Sequence, residues 1–504
     1  ALTWLRLAMV AVAFIAQIAV LVIAIVFFTG KLPWLFTVHI IISALVIIWI
    51  LASSMAPEYK ISWSIPILLM PLVGGLFYLL YGRSYFTKGE RESLMIPWQK
   101  SRALLDGVNH RGDMSAHCNA GARRIAHYLR SAAHYPAYGN TAVTYYPTGE
   151  DAWKAMLAEL EQAEDYILFQ YFIISAGTMW DELYAVLARK AAAGVKVHIL
   201  YDDLGSVFTL PRNFEQTLHE AGVHVQPINP FGLKMLLRYN NRNHAKILVV
   251  DGKVGFTGGI NIGDEYINIT SPYGHWKDVA VRLHGPAVYS LAIMFATVWN
   301  AEKETLAWSS LAPSPHLSGE HARGWVQPYD DSPFDNLRVG QDAYIALLAT
   351  AQESVDITSP YIIVDAEMTG AIIRAARSGV RIRIITSHIG DNWFVHETTR
   401  SSYAELVDAG VEIYEYEPGY MHAKMMIADG NSAIIGTINL DYRSLHLHQE
   451  CAVWLYEVPA ITHMTADFEA TLASCLPITA ETCAGIAWYR RALRAVLRTI
   501  APLL

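Results

Sequence analysis

Cysteine is scarce in this chain of 504 residues, which contains only four. None of the four lies in a Cys-x-x-Cys pair or at zinc-ligand spacing from a histidine, so neither a zinc module nor a dithiol redox site is indicated. Scattered cysteines are best explained as small buried hydrophobic residues. Nothing in their number or spacing demands an oxidising compartment.

Charge is also scarce, since 17% of the residues are charged and 53% are hydrophobic. The formal net charge is -8, which argues against a protein whose main partner is nucleic acid. The hydrophobic excess is concentrated in the first eighty residues of the chain. A composition this apolar is high for a wholly soluble protein.

Three apolar runs occupy the N-terminal part, at residues 7–28, 34–52 and 61–81. About twenty apolar residues span a bilayer as a helix, so the first two runs are predicted to cross a membrane. The third contains two prolines and two adjacent glycines, and either crosses or re-enters. Basic residues cluster after it, which places the rest of the chain in the cytoplasm. Residues 1–85 are thus predicted to anchor the protein, and residues 86–140 to form a juxtamembrane linker.

From about residue 140, short apolar strands alternate with helical stretches, which indicates layered α/β structure. This region repeats itself: in each copy a strand, a helix, a glycine and a second strand are followed by an Ala-Gly-Val turn. The predicted elements are strand 165–174, helix 179–193 and strand 195–201 in the first copy, and strand 355–364, helix 367–378 and strand 380–386 in the second. Residues 316–333 are predicted to connect the copies.

Each copy then reaches the same set of polar residues at identical spacing. The first copy has His244, Lys246, Asp251 and Asn261, and the second has His422, Lys424, Asp429 and Asn439. From average residue usage, one such match has a chance on the order of one in ten thousand per chain. Two matches inside parallel repeats are therefore not accidental.

The residue types of this motif point to phosphoryl chemistry. A histidine and a lysine two apart on a strand share a face, where lysine and asparagine can hold phosphate oxygens. Two such copies supply enough positive charge for a phosphodiester and its transition state, so neither a metal nor a cofactor is predicted. One neutral histidine can attack phosphorus and become a phosphohistidine. The other, protonated, can donate to the leaving alkoxide.

A histidine nucleophile needs an acceptor on its second nitrogen. Asp278 and Glu450, each at the start of a predicted strand after a motif, are the predicted orienting carboxylates. The alternative interpretation is that both are surface acids at the starts of strands. Asp251 and Asp429 belong to the catalytic motif, but their place directly after its strand indicates that they stabilise a turn.

The duplicated motif resembles that of the phospholipase D superfamily, a repeated HxKxxxxD followed by GSxN. Within it, residues 60–504 are similar to the bacterial cardiolipin synthases. The segments that carry the similarity are 79–83, 242–246, 258–266, 359–361, 419–424, 439–444 and 501–504. Gly259 and Thr437 stand where the superfamily usually has serine.

The resemblance implies an α/β, duplicated phospholipase D-like fold, in which two sheet-and-helix halves with pseudo-twofold symmetry follow an N-terminal transmembrane region. The halves are expected at residues 141–315 and 334–480, with a basic amphipathic helix at 481–504. The implied reaction moves a phosphatidyl group from one phosphatidylglycerol to another, giving cardiolipin and glycerol. His244 would be the nucleophile and His422 the acid and base. The implied partners are phosphatidylglycerol, other anionic phospholipids and the bilayer, in a multi-pass protein of the bacterial plasma membrane.

Several alternatives stay open. Water in place of the lipid alcohol would make the protein a phospholipase D, and serine with a CDP-lipid donor would make it a phosphatidylserine synthase. A lipid-binding scaffold without activity is the non-enzymatic alternative, and the oligomeric state is not predicted. The basic C-terminal helix either lies on anionic lipid or packs on the domain. His388, Asp391 and His396 precede the second motif and are candidates for contact with a glycerol head group.

Overall fold

The computed structural model describes residues 33–53, 55–69, 74–75, 77–78, 82, 88–108, 114, 118–230, 240–302, 305–311, 322–334 and 337–503. The chain divides into two compact units. The smaller unit comprises Ala1–Tyr85, Gly232–Asn240 and Arg498–Leu504, and the larger comprises Phe86–Phe231 and Asn241–Leu497. The first predicted membrane-crossing run, residues 7–28, lies outside the described residues.

Two apolar helices dominate the described part of the smaller unit, α1 (Pro33–Leu51) and α2 (Pro57–Leu69). The side chains buried in this unit include Ile50, Trp63, Ile67 and Tyr78. The Ser62 hydroxyl donates to the carbonyl of Thr499 over 2.7 Å and so ties the last residues of the chain into this unit. Among the helices that the structure describes, none has the combination of length and hydropathy needed to cross a bilayer.

The first half of the larger unit is built on a seven-stranded sheet. Its helices are α3 (Lys88–Asp106), α4 (Ala120–Ala133), α5 (Gly149–Glu161), α6 (Thr178–Ala192), α7 (Asp203–Ser206), α8 (Phe214–Glu220) and α9 (Val288–Ala301). Its strands are β1 (Ala142–Tyr146), β2 (Tyr166–Tyr171), β3 (Lys196–Asp202), β4 (His224–Ile228), β5 (Ile247–Val250), β6 (Val254–Gly258), β7 (His275–Lys277) and β8 (Ala280–His284). The sheet has the order β1-β8-β6-β5-β2-β3-β4, with β2, β3 and β4 parallel.

The second half repeats this plan. Its helices are α10 (Val339–Thr350), α11 (Ala366–Arg377), α12 (Trp393–Ser401), α13 (Tyr403–Asp408), α14 (Tyr442–His446), α15 (Ala460–Leu472), α16 (Ala480–Ala484) and α17 (Trp488–Ile500). Its strands are β9 (Trp325–Asp331), β10 (Ser354–Thr358), β11 (Ile362–Ile363), β12 (Arg381–Ser387), β13 (Glu412–Tyr416), β14 (Gly419–Met421), β15 (Met425–Ala428), β16 (Ser432–Gly436), β17 (Leu440–Asp441), β18 (Glu450–Tyr456) and β19 (Cys475–Ile478). Its sheet order, β9-β18-β16-β15-β10-β12-β13-β19, matches the first sheet with one added edge strand.

The repeated glycines explain why the same helix-to-strand turn recurs. Gly194 and Gly379 end α6 and α11 with φ of +95° and +97°, a left-handed conformation that favours glycine. The predicted strand 355–364 is interrupted, however. β10 ends at Thr358 because Pro360 has no N–H for a central ladder, and β11 instead pairs with β17.

The two halves share one hydrophobic core. Helix α9 is buried around nearly its whole circumference, as expected for a helix enclosed by other layers rather than lying at the surface. The same cluster of buried side chains includes Leu168 and Val249 of the first sheet, and Ile357 and Met426 of the second. The halves therefore form one packed body.

The two spans predicted as linkers both contain regular structure. Residues 86–140 include α3 and α4, and residues 316–333 include β9, which pairs with β18 in the second sheet. The Gln327 side-chain amide of β9 donates to the carbonyls of Ala126 and Tyr135, over 3.2 and 2.7 Å. Because these partners are distant in sequence, local patterning did not indicate them.

Candidate active site

His422 is positioned by a strand pairing between the two halves. β14, which leads into His422, runs parallel to β7 of the first half, with Met421 opposite Lys277. The backbone N–H of His422 donates to the carbonyl of Lys277 over 2.7 Å. The next residue of the first half is Asp278, so the pairing brings this carboxylate to the histidine.

His244 is positioned in the same way with the halves exchanged. Asn243 forms a parallel bridge with Gln449, and the backbone N–H of His244 donates to the Gln449 carbonyl over 2.8 Å. Glu450 follows directly. Both His-x-Lys segments therefore lie just before β5 and β15, and not within a strand as the sequence suggested.

Each histidine is held by a carboxylate from the opposite half. Nδ1 of His422 lies 2.6 Å from Oδ2 of Asp278, and Nδ1 of His244 lies 2.9 and 3.0 Å from the two oxygens of Glu450. Both carboxylates are completely buried. An ionised carboxylate can only accept, so Nδ1 carries the proton and Nε2 of each imidazole keeps its lone pair.

Burial dominates the protonation of both histidines. It lowers the pKa of His244 to about 3, although the charge of Glu450 opposes the shift. Burial and the charge of Lys424 lower the pKa of His422 to about 4, and Asp278 opposes them. Burial alone would raise the pKa of Glu450, but its pairing with His244 outweighs burial and holds that pKa below its usual range. Both imidazoles are therefore neutral in the free protein near neutral pH.

Two lysines are buried beside the histidines. The ammonium group of Lys246 donates to the carbonyl of His244 over 2.7 Å, and that of Lys424 donates to the carbonyl of His422. Burial lowers the pKa of Lys246 to about 8 and that of Lys424 to about 7. A lysine has three donors, so each has capacity for a phosphate oxygen. A bound anion would also offset the burial that disfavours their charge.

The two motif asparagines differ in their partners. Both polar atoms of Asn261 have a partner: its carbonyl oxygen accepts from the backbone N–H of Ile173 over 3.1 Å, and its amide donates to the Tyr266 hydroxyl over 2.8 Å. Asn439 is also buried, and in the described part of the chain its Oδ1 has no hydrogen-bond partner. Asn439 therefore has an unpaired acceptor, whereas the two bonds of Asn261 leave its second amide hydrogen as a donor.

The departures at Gly259 and Thr437 have a structural explanation. A Cβ at position 259 would run into the carboxylate of Asp278, so only glycine leaves room for that group. At the equivalent place in the second half, the Thr437 hydroxyl donates to Glu450. The first half therefore combines the shorter acid, Asp278, with Gly259. The second half combines the longer acid, Glu450, with the hydroxyl of Thr437.

Asp251 and Asp429 make the contacts of turn-stabilising residues, as their place directly after the motif strand predicted. Each lies beyond the strand that follows its motif, roughly 15 Å or more from the histidine along an extended chain. Each has a left-handed backbone, with φ of +52° and +50°. The carboxylate of Asp251 accepts three backbone N–H groups, of Glu164, Asp165 and Tyr166, and Asp429 does the same for residues 352–354. They fix the start of β2 and β10.

Aromatic rings line the site, and the sequence did not indicate them. Phe172 packs edge-on to His244, with ring centroids 5.1 Å apart. Trp276, Tyr266 and Tyr420 surround His422 at 5.1, 5.6 and 5.8 Å. Trp276 lies two residues from Asp278 and Tyr266 lies five residues from Asn261 in the sequence. This closeness to predicted site residues could have indicated that both rings line the site.

His448 is a third histidine in the site, also missed from the sequence. Its ring lies 5.7 Å from that of His244, and its Nδ1 lies 3.6 Å from Glu450. Neither ring nitrogen has a hydrogen-bond partner among the described residues. Within that part of the chain, His244, His448 and Glu450 place ligand atoms within 4.8 Å of one another and could hold a metal ion. An ion bound to the His244 ring would occupy a lone pair needed for attack, so we assign it no role in the reaction.

The three residues predicted to touch a glycerol head group have structural partners. Nδ1 of His388 lies 2.9 Å from Glu415, and Nε2 of His396 lies 3.2 Å from the carbonyl of Ser387. Asp391 accepts from the Tyr361 hydroxyl over 2.7 Å.

Comparisons with known proteins identify the family of this chain. The family model described as "Cardiolipin synthase, PLD-like domain" matches residues 156–281 and 344–472, and one described as "Phospholipase_D-nuclease N-terminal" matches residues 40–83. An uncharacterised protein of Streptococcus mutans is 36% identical over 91% of this chain and 99% of its own. A cardiolipin synthase of Halalkalibacterium halodurans is 32% identical over 95% of both chains.

A solved structure extends the agreement to the fold. The phosphatidylserine synthase of Haemophilus influenzae superposes with a TM-score of 0.58 over 77% of this chain and all of its own, at 12% identity. At that identity the match speaks for the fold alone. The predicted duplicated phospholipase D-like α/β fold is thus confirmed, and the chain belongs to the cardiolipin synthase family of phospholipase D-like enzymes.

Proposed function

We propose that this enzyme is a phosphatidyltransferase that joins two phosphatidylglycerol molecules into cardiolipin and releases glycerol. The observation that carries the proposal is the pair of buried histidines, each with Nδ1 held by a carboxylate of the opposite half. Such a pair supplies one nucleophile and one proton carrier at a single phosphorus atom. The relatives named cardiolipin synthase support the choice of phosphatidylglycerol as donor and acceptor.

In the first step, Nε2 of His244 attacks the phosphorus of the donor lipid. The bond from phosphorus to the head-group oxygen breaks, and its electron pair leaves with the glycerol oxygen. His422 gives this oxygen a proton, so that glycerol departs and a phosphatidyl-His244 intermediate remains. Glu450 stabilises the positive charge that His244 gains as the new bond forms. The assignment of His244 as the nucleophile rests on the family resemblance.

In the second step, the now neutral His422 takes the proton of a hydroxyl of the second phosphatidylglycerol. The oxygen attacks phosphorus, the P–N bond breaks, and its electron pair returns to His244. The product is cardiolipin, and both histidines regain their starting protonation. Asp278, at 2.6 Å, stabilises the charged form of His422 before the first proton transfer and after the second.

Substrate binding is proposed to charge His422. Burial keeps its pKa near 4 in the free protein, so a proton donor has to be created. A phosphodiester anion beside the ring favours the charged form and raises that pKa. Lys246, Lys424, Asn261 and Asn439 are proposed to hold its nonbridging oxygens. All four are buried at the site, each ammonium group has three donors, and each asparagine carries an amide group with two donors.

Hydrolysis is the second candidate function, since it differs only in the acceptor. The burial of both histidines favours transfer: the side chains are 9% and 11% exposed, so few water molecules can reach phosphorus without displacing lipid.

We further infer that residues 1–85 anchor the enzyme in the bacterial plasma membrane in a multi-pass arrangement, with the larger unit in the cytoplasm. The support is the apolar composition of residues 7–28, which only Gln17 interrupts, together with the exposed apolar side chains of α1, where Ile41, Leu45 and Ile48 are 53%, 61% and 61% exposed. Cysteine labelling in sealed inverted vesicles tests this. Labelling of a cysteine placed in the larger unit only after permeabilisation would contradict the orientation.

The reaction is tested with purified protein in phosphatidylglycerol liposomes without CTP or CDP-lipid. Mass spectrometry follows the lipids, and an enzymatic assay follows glycerol. We expect cardiolipin with one glycerol for each molecule formed, and no product from His244→Ala. Phosphatidic acid with glycerol would instead identify a phospholipase D, and no turnover with lipid binding retained would identify a scaffold.

A further inference from the structure

The C-terminal helix is fastened to the catalytic unit by a buried acid. Glu397 of α12 is 2% exposed and accepts from Arg490 Nη2 over 2.6 Å and from Arg494 Nε over 2.8 Å, both on α17. These hydrogen bonds hold the pKa of Glu397 below its usual range, although burial opposes them. Removing one partner of such a buried network is strongly destabilising, so the two helices form one fixed element.

Four exposed aromatic side chains lie beside this fastening. Trp393 and Phe394 begin α12 and are 54% and 53% exposed, and Trp488 and Tyr489 begin α17 and are 79% and 61% exposed. All four lie within about one helical turn, roughly 5 to 6 Å, of Glu397 or of the arginine that it binds. We call Trp393, Phe394, Trp488 and Tyr489 the aromatic rim. The rings contact each other within each pair, with centroids 5.0 Å apart for Trp393 and Phe394 and 6.3 Å apart for Trp488 and Tyr489. Exposed aromatic pairs of this kind are unusual for a surface that meets only water.

The aromatic rim is connected to the reacting groups. Asp391, two residues before Trp393, accepts from the Tyr361 hydroxyl over 2.7 Å. The hydroxyls of Tyr361 and Tyr420 lie 2.9 Å apart, and the Tyr420 ring stacks on that of His422 at 5.8 Å. A series of contacts therefore leads from Asp391, two residues from the rim, to His422.

The chemistry of the rim fits the interface of an anionic bilayer. Tryptophan and tyrosine concentrate at the level of the lipid head groups, where their rings meet both apolar and polar surroundings. The arginines of the adjacent helix add positive charge: Arg490 and Arg494 share one acid, and Arg491 donates to the backbone carbonyls of residues 484 and 486. Arginine at a membrane surface attracts anionic lipid.

We propose that the aromatic rim docks the catalytic unit on the surface of an anionic phospholipid bilayer, so that a lipid passes to His422 directly from the membrane. The inference rests on the proposed function only in that the substrate is a phospholipid. It adds the surface through which the substrate is collected.

The test compares one reaction with two presentations of substrate. Full-length enzyme is assayed on long-chain phosphatidylglycerol in vesicles, and on short-chain phosphatidylglycerol dispersed in detergent. The variants are Trp393→Ser with Phe394→Ser, and Trp488→Ser with Tyr489→Ser. We expect each double variant to lose about tenfold or more of kcat/KM on vesicles, since interfacial binding scales with buried apolar area, and to stay within about twofold on dispersed lipid.

A control variant and further measurements separate the possible outcomes. Leu476→Ser, which removes a 37%-exposed apolar side chain from β19, is the matched control and should behave as wild type on both substrates. Hydrogen exchange at residues 388–397 and 486–492 should slow when phosphatidylglycerol vesicles are added to wild type.

Unchanged activity of the double variants on vesicles, or equal loss of activity on both substrates, would overturn the docking role. A change in mass by light scattering without loss on vesicles would overturn it in favour of self-association. If the wild-type enzyme makes no cardiolipin from dispersed lipid, the proposed function is wrong instead.

Discussion

Asp278→Asn and Glu450→Gln should block the reaction at different chemical events, although the two carboxylates occupy equivalent places. Glu450 supports His244, which attacks phosphorus, and Asp278 supports His422, which protonates the leaving glycerol. Each substitution keeps the size of the side chain and removes its charge. A donor whose leaving group needs no protonation should therefore rescue one variant and not the other.

The expected loss follows from the geometry. Both carboxylates are buried and accept an Nδ1–H at 2.6 to 3.0 Å, so each stabilises an imidazolium in a site from which water is largely excluded. Replacing the equivalent acid of a protease triad by its amide lowers kcat by about ten-thousandfold. We expect a loss of about a thousandfold to ten-thousandfold here with the natural substrate, equivalent to about 4 to 5.5 kcal/mol of transition-state stabilisation.

The assay uses phosphatidyl-p-nitrophenol as donor and follows the release of p-nitrophenol in rapid mixing. Because nitrophenolate leaves without a proton, Asp278→Asn should give a burst within about tenfold of the wild-type rate, whereas Glu450→Gln should remain slow. Acid quench and digestion should show the adduct on His244. Rescue of Glu450→Gln alone would reverse the assignment of the two histidines. Equal rescue of both variants would refute the division of roles.

Three further predictions follow. The lysine pKa values of about 8 (Lys246) and 7 (Lys424) imply that kcat/KM falls as pH rises from about 7 to 9, and a flat profile would contradict this. Since unfolded lysines stay protonated to about pH 10, the unfolded chain binds more protons in that window, and the thermal midpoint should rise there. Gly259→Ala should displace Asp278 and lower kcat about tenfold or more at unchanged KM; steady-state kinetics would reveal unaltered turnover. Asp429→Asn should leave kcat within about twofold but destabilise the enzyme by about 2 to 3 kcal/mol in thermal unfolding.

The reacting residues could be recognised from the sequence because their spacing is repeated. The interval between His244 and Lys246 recurs between His422 and Lys424, and this regularity does not depend on the tertiary fold. The helix ends at Gly194 and Gly379 could also be predicted, since a left-handed backbone at the end of a helix is a local requirement that favours glycine.

The partners of those residues could not be read in the same way. Which carboxylate meets which histidine depends on the pairing of β7 with β14 and on the bridge from Asn243 to Gln449, which join residues more than a hundred positions apart. Thr437 and His448 also contact Glu450, and they lie only thirteen and two residues from it in the sequence, so the motif pattern rather than sequence distance left them out. Likewise, α4 resembled a linker because Gln327, which donates to its Ala126 carbonyl, lies in another part of the chain.

The exchange of carboxylates between halves has a consequence for the history of the gene. Neither half contains a complete histidine–carboxylate pair, so a chain cut between the repeats would leave each imidazole without its counterion until the pieces reassociate. After a duplication, selection acts on His244 with Glu450 and on His422 with Asp278 as heritable units that straddle the repeat boundary. The two repeats therefore cannot drift independently at these four positions. Because Gly259 leaves room for Asp278, substitutions at those two positions should also co-vary.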